Sequence, residues 1–114
     1  MSKVLDFNSI QRPTLELTMK DDDHTVIRVS TPKEALIEKL SAGLKDLQEI
    51  VKRQDGESIR ALFDLAADLI NCNRNFITVT AEDLRDKYRM DFEDLTIFFG
   101  VYLDFIGELQ NAKN

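Results

Sequence analysis

Three groupings in this chain have the residue types that chemistry uses. Asp21, Asp22 and Asp23 run consecutively beside His24, the one histidine of the sequence. Carboxylates and an imidazole can hold a cation, but a calcium loop spaces its oxygens around a glycine turn. Three consecutive aspartates point in different directions and read as a solvated turn. His24 would need further ligands to bind zinc, or a paired nucleophile to act as a base. It reads as a surface residue of that turn. Cys72 is the only cysteine. It has no second thiol for a redox motif, and the histidine is distant in sequence, so it reads as a structural residue at a helix end. Asp91, Glu93 and Asp94 resemble an acid/base set. They crowd a helix start, where the dipole stabilises negative charge, and that role accounts for them. The sequence has no glycine-rich phosphate loop and no G-x-S-x-G elbow. No catalytic residue, metal ligand or cofactor site is expected, and the chain does not read as an enzyme.

The elements that carry these residues belong to one domain, as expected for 114 residues. With 43% hydrophobic and 32% charged residues, the chain can bury a core without disulfide or metal staples. A net charge of −6, with Lys and Arg scattered among acids, argues against nucleic acid and against anionic lipid. A lone cysteine suits a reducing compartment. The stretch MSKVLDFNSIQRPT lacks the apolar run of a signal peptide. No apolar run reaches the ~18 residues that a membrane span needs.

The expected fold class is α+β, an N-terminal β-hairpin (within residues 1–30) followed by a helical bundle (31–114) of three long helices and one short one. Residues 1–12 are mixed, with Val4, Leu5 and Phe7 available to pin them to the body. Thr14–Lys20 alternates, placing Leu15, Leu17 and Met19 on one face, and Thr25–Ser30 follows the acidic turn. Val26, Ile27 and Val29 alternate less cleanly. A hairpin alone is marginal in water, so it must pack on helices or on another chain. Thr31-Pro32-Lys33-Glu34 has the form of a capping box with proline at the first helical position. The first helix is expected to run to about Arg53, with a seam through Ile37, Leu40, Leu44, Leu47 and Val51. The second runs from Glu57 to Cys72, with Ile59, Leu62, Phe63, Ala66, Leu69 and Ile70 inside. The asparagines around Cys72 end it, since Asn tolerates left-handed backbone. Phe76–Val79 is a short extended run. Thr80 caps a short helix to about Tyr88, with Leu84 and Tyr88 inward. Asp91 caps the last helix, to about Asn111.

That last helix carries the strongest pattern in the chain. At about 100° per residue, Leu95, Phe98, Phe99, Tyr102, Phe105, Ile106 and Leu109 fall together. Val101 and Leu103 widen the face to about half the circumference or more, whereas one small core needs an arc of only ~100°. Either the helix is buried among its neighbours or it shares this face with a partner. Phe98, Phe99, Tyr102 and Phe105 are the residues expected to include partner contacts if it does.

Three stretches carry a resemblance: FNSIQRPTLEL at 7–17, VSTPKEAL at 29–36 and VTAEDLRDKYRMDFEDLTIFFGVYLDFI at 79–106. On these the chain resembles the small tail-assembly proteins of long-tailed phages and prophages of Gram-positive bacteria. The resemblance implies a tail assembly chaperone, working in the bacterial cytoplasm. Such a protein coats the apolar, helical tape-measure protein and keeps it soluble while tail-tube subunits polymerise around it. The implied partners are the tape-measure protein and the tail tube protein. A homo-oligomer and a longer frameshifted form are also implied, and no catalytic residue is. A structural minor tail or connector protein, or a small regulatory adaptor of the host, are the other readings.

Overall fold

In the computed structural model, which describes residues 13–45, 49, 52 and 56–112, Leu15–Thr18 forms strand β1 and Val26–Val29 forms strand β2. They pair antiparallel, Leu15 opposite Val29 and Leu17 opposite Ile27. Met19 N–H donates to Thr25 O at 2.8 Å and closes the ladder. The acidic turn is built by Asp21. Its carboxylate accepts from Thr25 N–H at 2.8 Å and from the Thr25 hydroxyl, and its carbonyl accepts from His24 N–H at 3.0 Å. Those bonds explain why an aspartate stands there, and they leave His24 at a left-handed φ of 50°. Ile27 and Val29 share the inward face of β2 and are fully buried, with Val26 only half-buried.

The two edges of this hairpin differ. Beyond β2, Arg74 N–H donates to Arg28 O at 3.0 Å and Ser30 N–H to Cys72 O at 2.6 Å. The Asn75 side chain accepts from Arg28 N–H at 2.7 Å. The outer edge of β2 is therefore sealed by residues 72–75. The Met19–Thr25 bond sets the alternation, so Glu16 and Thr18 turn their backbone groups away from β2. Among the described residues nothing pairs with that outer edge of β1.

Among the described residues four helices follow: α1 (Glu34–Lys45), α2 (Gly56–Ile70), α3 (Ala81–Asp86) and α4 (Phe92–Ala112). The fold is α+β. Helix α2 touches α1, α3, α4 and β2, and it is the centre of the core. Its buried face holds Leu62, Phe63, Leu65, Ala66, Ala67, Leu69 and Ile70. Leu84 and Tyr88 close one side of it, with the Arg85 guanidinium 4.4 Å from the Phe63 ring. Met19, Ile27 and Val29 of the hairpin and Leu40 of α1 complete the core.

Two helix starts follow the local sequence closely. Thr80 Oγ1 accepts from Asp83 N–H at 3.0 Å while Asp83 Oδ2 accepts from Thr80 N–H at 3.1 Å. Asp91 and Asp94 make the same reciprocal pair at the head of α4, at 2.8 and 3.0 Å. A capping box needs only residues three apart, which is why it is legible without tertiary structure.

Helix α1 departs from expectation. It begins at Glu34 rather than Pro32, and Lys33 O accepts the first bonds, from Leu36 and Ile37 N–H. Leu36 and Leu40 meet the core, and Ile37 is 47% exposed, so the packing face is rotated away from the expected seam. The side chains of Leu44, Leu47 and Val51, like residues 1–12, lie outside the described residues. Helix α2 ends at Ile70, short of Cys72, and none of the asparagines that follow is left-handed. That conformation is taken by Phe76 instead, with φ of 57°.

Candidate interaction surface

The broad apolar face of α4 divides into a buried strip and two open flanks. Leu95, Phe98, Phe99 and Tyr102 are buried, and Phe105 and Ile106 are half-buried against the core. Ile97 (59% exposed) and Val101 (45%) lie along one flank, and Leu103 (43%) along the other. Of the four residues expected to include partner contacts, Phe98, Phe99 and Tyr102 thus pack inside the chain, and Phe105 stands at the core margin. Their rings form a run: Phe98 to Phe99 at 5.4 Å, Phe98 to Tyr102 at 5.6 Å, Tyr102 to Phe105 at 6.3 Å between centroids. Tilted pairs at these separations are favourable.

Among the described residues the buried Tyr102 hydroxyl has no hydrogen-bond partner. Burial, and secondarily the neighbouring Cys72, push its pKa well above the ordinary phenol range. Cys72 itself is half-buried, its Sγ 3.8 Å from Asp68 O.

Between the outer edge of β1 and the first half of α4 runs an apolar groove of about 250 Å³. Its lining includes Leu17, Met19, Met90, Ile97, Phe98 and Val101. Glu16, Lys20 and Asp94 stand around it. Lys20 Nζ lies 2.5 Å from Asp94 Oδ2 and ties the end of β1 to the first turn of α4. That bond raises the lysine pKa and lowers the carboxyl pKa. Arg89 Nη2 reaches Asp22 Oδ1 at 3.0 Å and ties the hairpin tip to the α3–α4 turn. A second cleft, about 610 Å³, opens between the start of α1 and the end of α2. It is lined by Lys33, Lys39, Asp68 and Cys72 among others, and Lys39 sits 3.9 Å from Asp68.

The feature that sequence reasoning missed is Phe76. Its side chain is 98% exposed, and its backbone is held in a conformation that bulky residues rarely adopt. The loop beneath it is tightly bonded. Asn73 Oδ1 accepts from Asn75 and Ile77 N–H, both at 3.0 Å, and Asn73 Nδ2 donates to Ile70 O and Ile77 O. Asn71 and Val79 exchange two more bonds. The run Asn71-Cys72-Asn73-Arg74-Asn75 ahead of a lone phenylalanine is the signal that points to such a loop.

Among the described residues no group of three or more His, Cys, Asp or Glu is arranged to hold a metal ion, and no helix is long and apolar enough to cross a membrane. Comparison with protein-family models, with curated proteins and with solved structures gives no match.

Proposed function

We propose that this domain is a phage or prophage tail assembly chaperone that binds the tape-measure protein and keeps it soluble during tail-tube assembly. The reading rests on the resemblance of the three sequence stretches and on one structural observation. After the core is satisfied, α4 still presents apolar side chains on both of its flanks. Exposed apolar surface on an acidic domain is what a holder of apolar helices needs: it binds the client, and the net charge of −6 keeps the complex dispersed. Contact would be of the helix-in-groove kind, with client anchors at helical spacing. The distal half of α4, with Leu103 and Phe105, is assigned to the client.

Co-expression with the tape-measure protein of the same genome, followed by pull-down and light scattering, tests this. A soluble complex with several copies per client supports the chaperone. An insoluble client with this chain left free overturns it and favours a structural tail subunit or a host adaptor.

A further inference from the structure

The apolar groove and the outer edge of β1 are neighbours, and one added segment can close both. Glu16 and Thr18 turn their backbone groups outward, with nothing among the described residues to pair them. Beside them the groove runs to Ile97 and Val101 of α4, which are 59% and 45% exposed. Strand edges are ordinarily paired or covered, and a two-stranded sheet gains from a third strand. The occupant must offer backbone to β1 and apolar side chains to α4. An extended strand does both, because its side chains alternate between two faces while its backbone pairs sideways.

The chain carries such a segment next to the seat. Residues 1–12, outside the described residues, enter β1 through Pro13 and Thr14. Within them residues 4–7 (VLDF) match the four-residue length of β1. Leu5 and Phe7 are two apart and share a face when extended, with Val4 and Asp6 on the other. Asn8 and Ser9, both turn formers, follow. Residues 8–14 are then free to make the reversal, and a neighbouring strand ~4.8 Å away needs only a short loop. The addition is antiparallel, since a parallel one would need a crossover of about a dozen residues or more. The other seats are less suitable. Residues 72–75 already occupy the outer edge of β2, and the larger cleft presents Lys33, Lys39 and Asp68, which apolar side chains would desolvate.

We propose that residues 4–7 add to the outer edge of β1 as a third, antiparallel strand, with Leu5 and Phe7 seated in the groove against Ile97 and Val101. The groove, at about 250 Å³, is below the ~300–1,000 Å³ of clefts that enclose drug-sized ligands, and it suits one or two side chains. The added strand closes the edge against strand addition by other chains. It leaves the Leu103 flank of α4, and so the part assigned to the client, open. The contact involves this chain alone, so its failure would leave the chaperone reading untouched, and the reverse holds too.

Residue-resolved amide hydrogen exchange on the full chain tests it. The Glu16 and Thr18 amides point away from β2, so only an occupant of the outer edge can protect them. In the unmodified chain both are expected to be protected, to the same degree at high and low protein concentration. Leu5→Asp and Phe7→Asp should each speed their exchange by roughly tenfold or more, as loss of one buried apolar anchor does. Ile97→Asp should do the same from the groove side, with Val101→Asp as its substitute should it unfold. Each variant is expected to keep its helical circular dichroism and the protection of the Leu17 amide, which faces β2. Exchange of Glu16 and Thr18 at free-peptide rates in the unmodified chain would overturn the proposal. So would protection that survives the Leu5 and Phe7 variants or the groove variants, since something else would then cover the edge. Protection that fades on dilution would also overturn it, by assigning the edge to a second copy.

Discussion

Asn71 and Val79 are joined by two hydrogen bonds, Asn71 Nδ2 to Val79 O at 2.9 Å and Val79 N–H to Asn71 Oδ1 at 2.7 Å. One side-chain amide thereby imitates a strand partner and closes the loop between α2 and α3. It fixes the approach to Thr80, and so the start of α3.

Removing that amide should loosen the loop without opening the core. Asn71→Ala leaves the N–H and C=O of Val79 unpaired while the Val79 side chain stays buried. A loss of ~1–3 kcal/mol is expected, the range for orphaned polar groups. Urea denaturation measures it, and no change in midpoint would contradict the structural role of this pair.

The aromatic residues of α4 should separate by burial. Phe98→Asp places a charge among Met19, Ile70 and Met90 and should unfold the chain, since an unpaired buried charge costs several times a typical mutation. Phe105→Asp, at the core margin, should cost far less. Thermal melts of the two variants decide this. Equal, small shifts would mean that Phe98 is not core.

Tyr102→Phe removes a buried hydroxyl that has no partner among the described residues. The usual expectation for Tyr→Phe is a loss. Here the melting temperature should hold or rise, by up to ~1 kcal/mol in stability, because no hydrogen bond is lost and a desolvated dipole is removed. A clear fall in the melting temperature would show that the hydroxyl has a partner.

Phe76→Gly should also be tolerated. Glycine adopts positive φ freely, and relief of the left-handed strain, ~1–2 kcal/mol, offsets the flexibility that glycine adds to the unfolded chain. The melting temperature should not fall. A marked drop would show the ring to be packed rather than displayed.

The Lys20–Asp94 pair predicts a stability plateau with two limbs. The hydrogen bond from Lys20 is the main cause that holds Asp94 below the usual aspartate range. Its contribution is complete above the unfolded aspartate value and is lost as pH falls through the depressed folded one. Lys20 is raised, mainly by the same bond, so its contribution is complete below the unfolded lysine value and is lost as pH rises through the raised one. Asp94→Asn keeps an oxygen to accept from Asp91 N–H but removes the charge. Melting temperature against pH should show the variant weaker than the unmodified chain at neutral pH, with the gap closing at both extremes. A gap independent of pH would reject the ion pair as its cause. Both side chains are substantially solvated, so the effect should be small and should shrink with added salt.

What the sequence made legible was local. Thr80–Asp83 and Asp91–Asp94 are three residues apart, and their caps stand where the residue types put them. The alternation of Leu15, Leu17 and Met19 placed β1, and the spacing of Leu62, Phe63, Ala66, Leu69 and Ile70 placed the inner face of α2. What depended on neighbours was not legible. Thr31 and Pro32 look like a helix start, yet the chain delays the helix to Glu34. The period of α4 reveals a wide apolar arc. Only the positions of α2 and the hairpin decide that Phe98 and Tyr102 turn inward while Ile97 and Val101 stay open. The asparagine run signals a bonded loop, but the left-handed turn at Phe76 goes with bonds from the Asn73 amide to backbone up to four residues away, and the preference of phenylalanine itself does not announce it.

The burial of both tyrosines has a practical side. The chain contains no tryptophan, and Tyr88 and Tyr102, its only tyrosines, are sealed in the core. Its ultraviolet emission therefore comes from two interior rings and not from the displayed Phe76, which is nearly silent at those wavelengths. Emission will follow unfolding and ignore docking at the surface. A fluorescence melt can thus score every variant above that keeps both tyrosines for foldedness while scattering scores it for assembly, with neither signal leaking into the other.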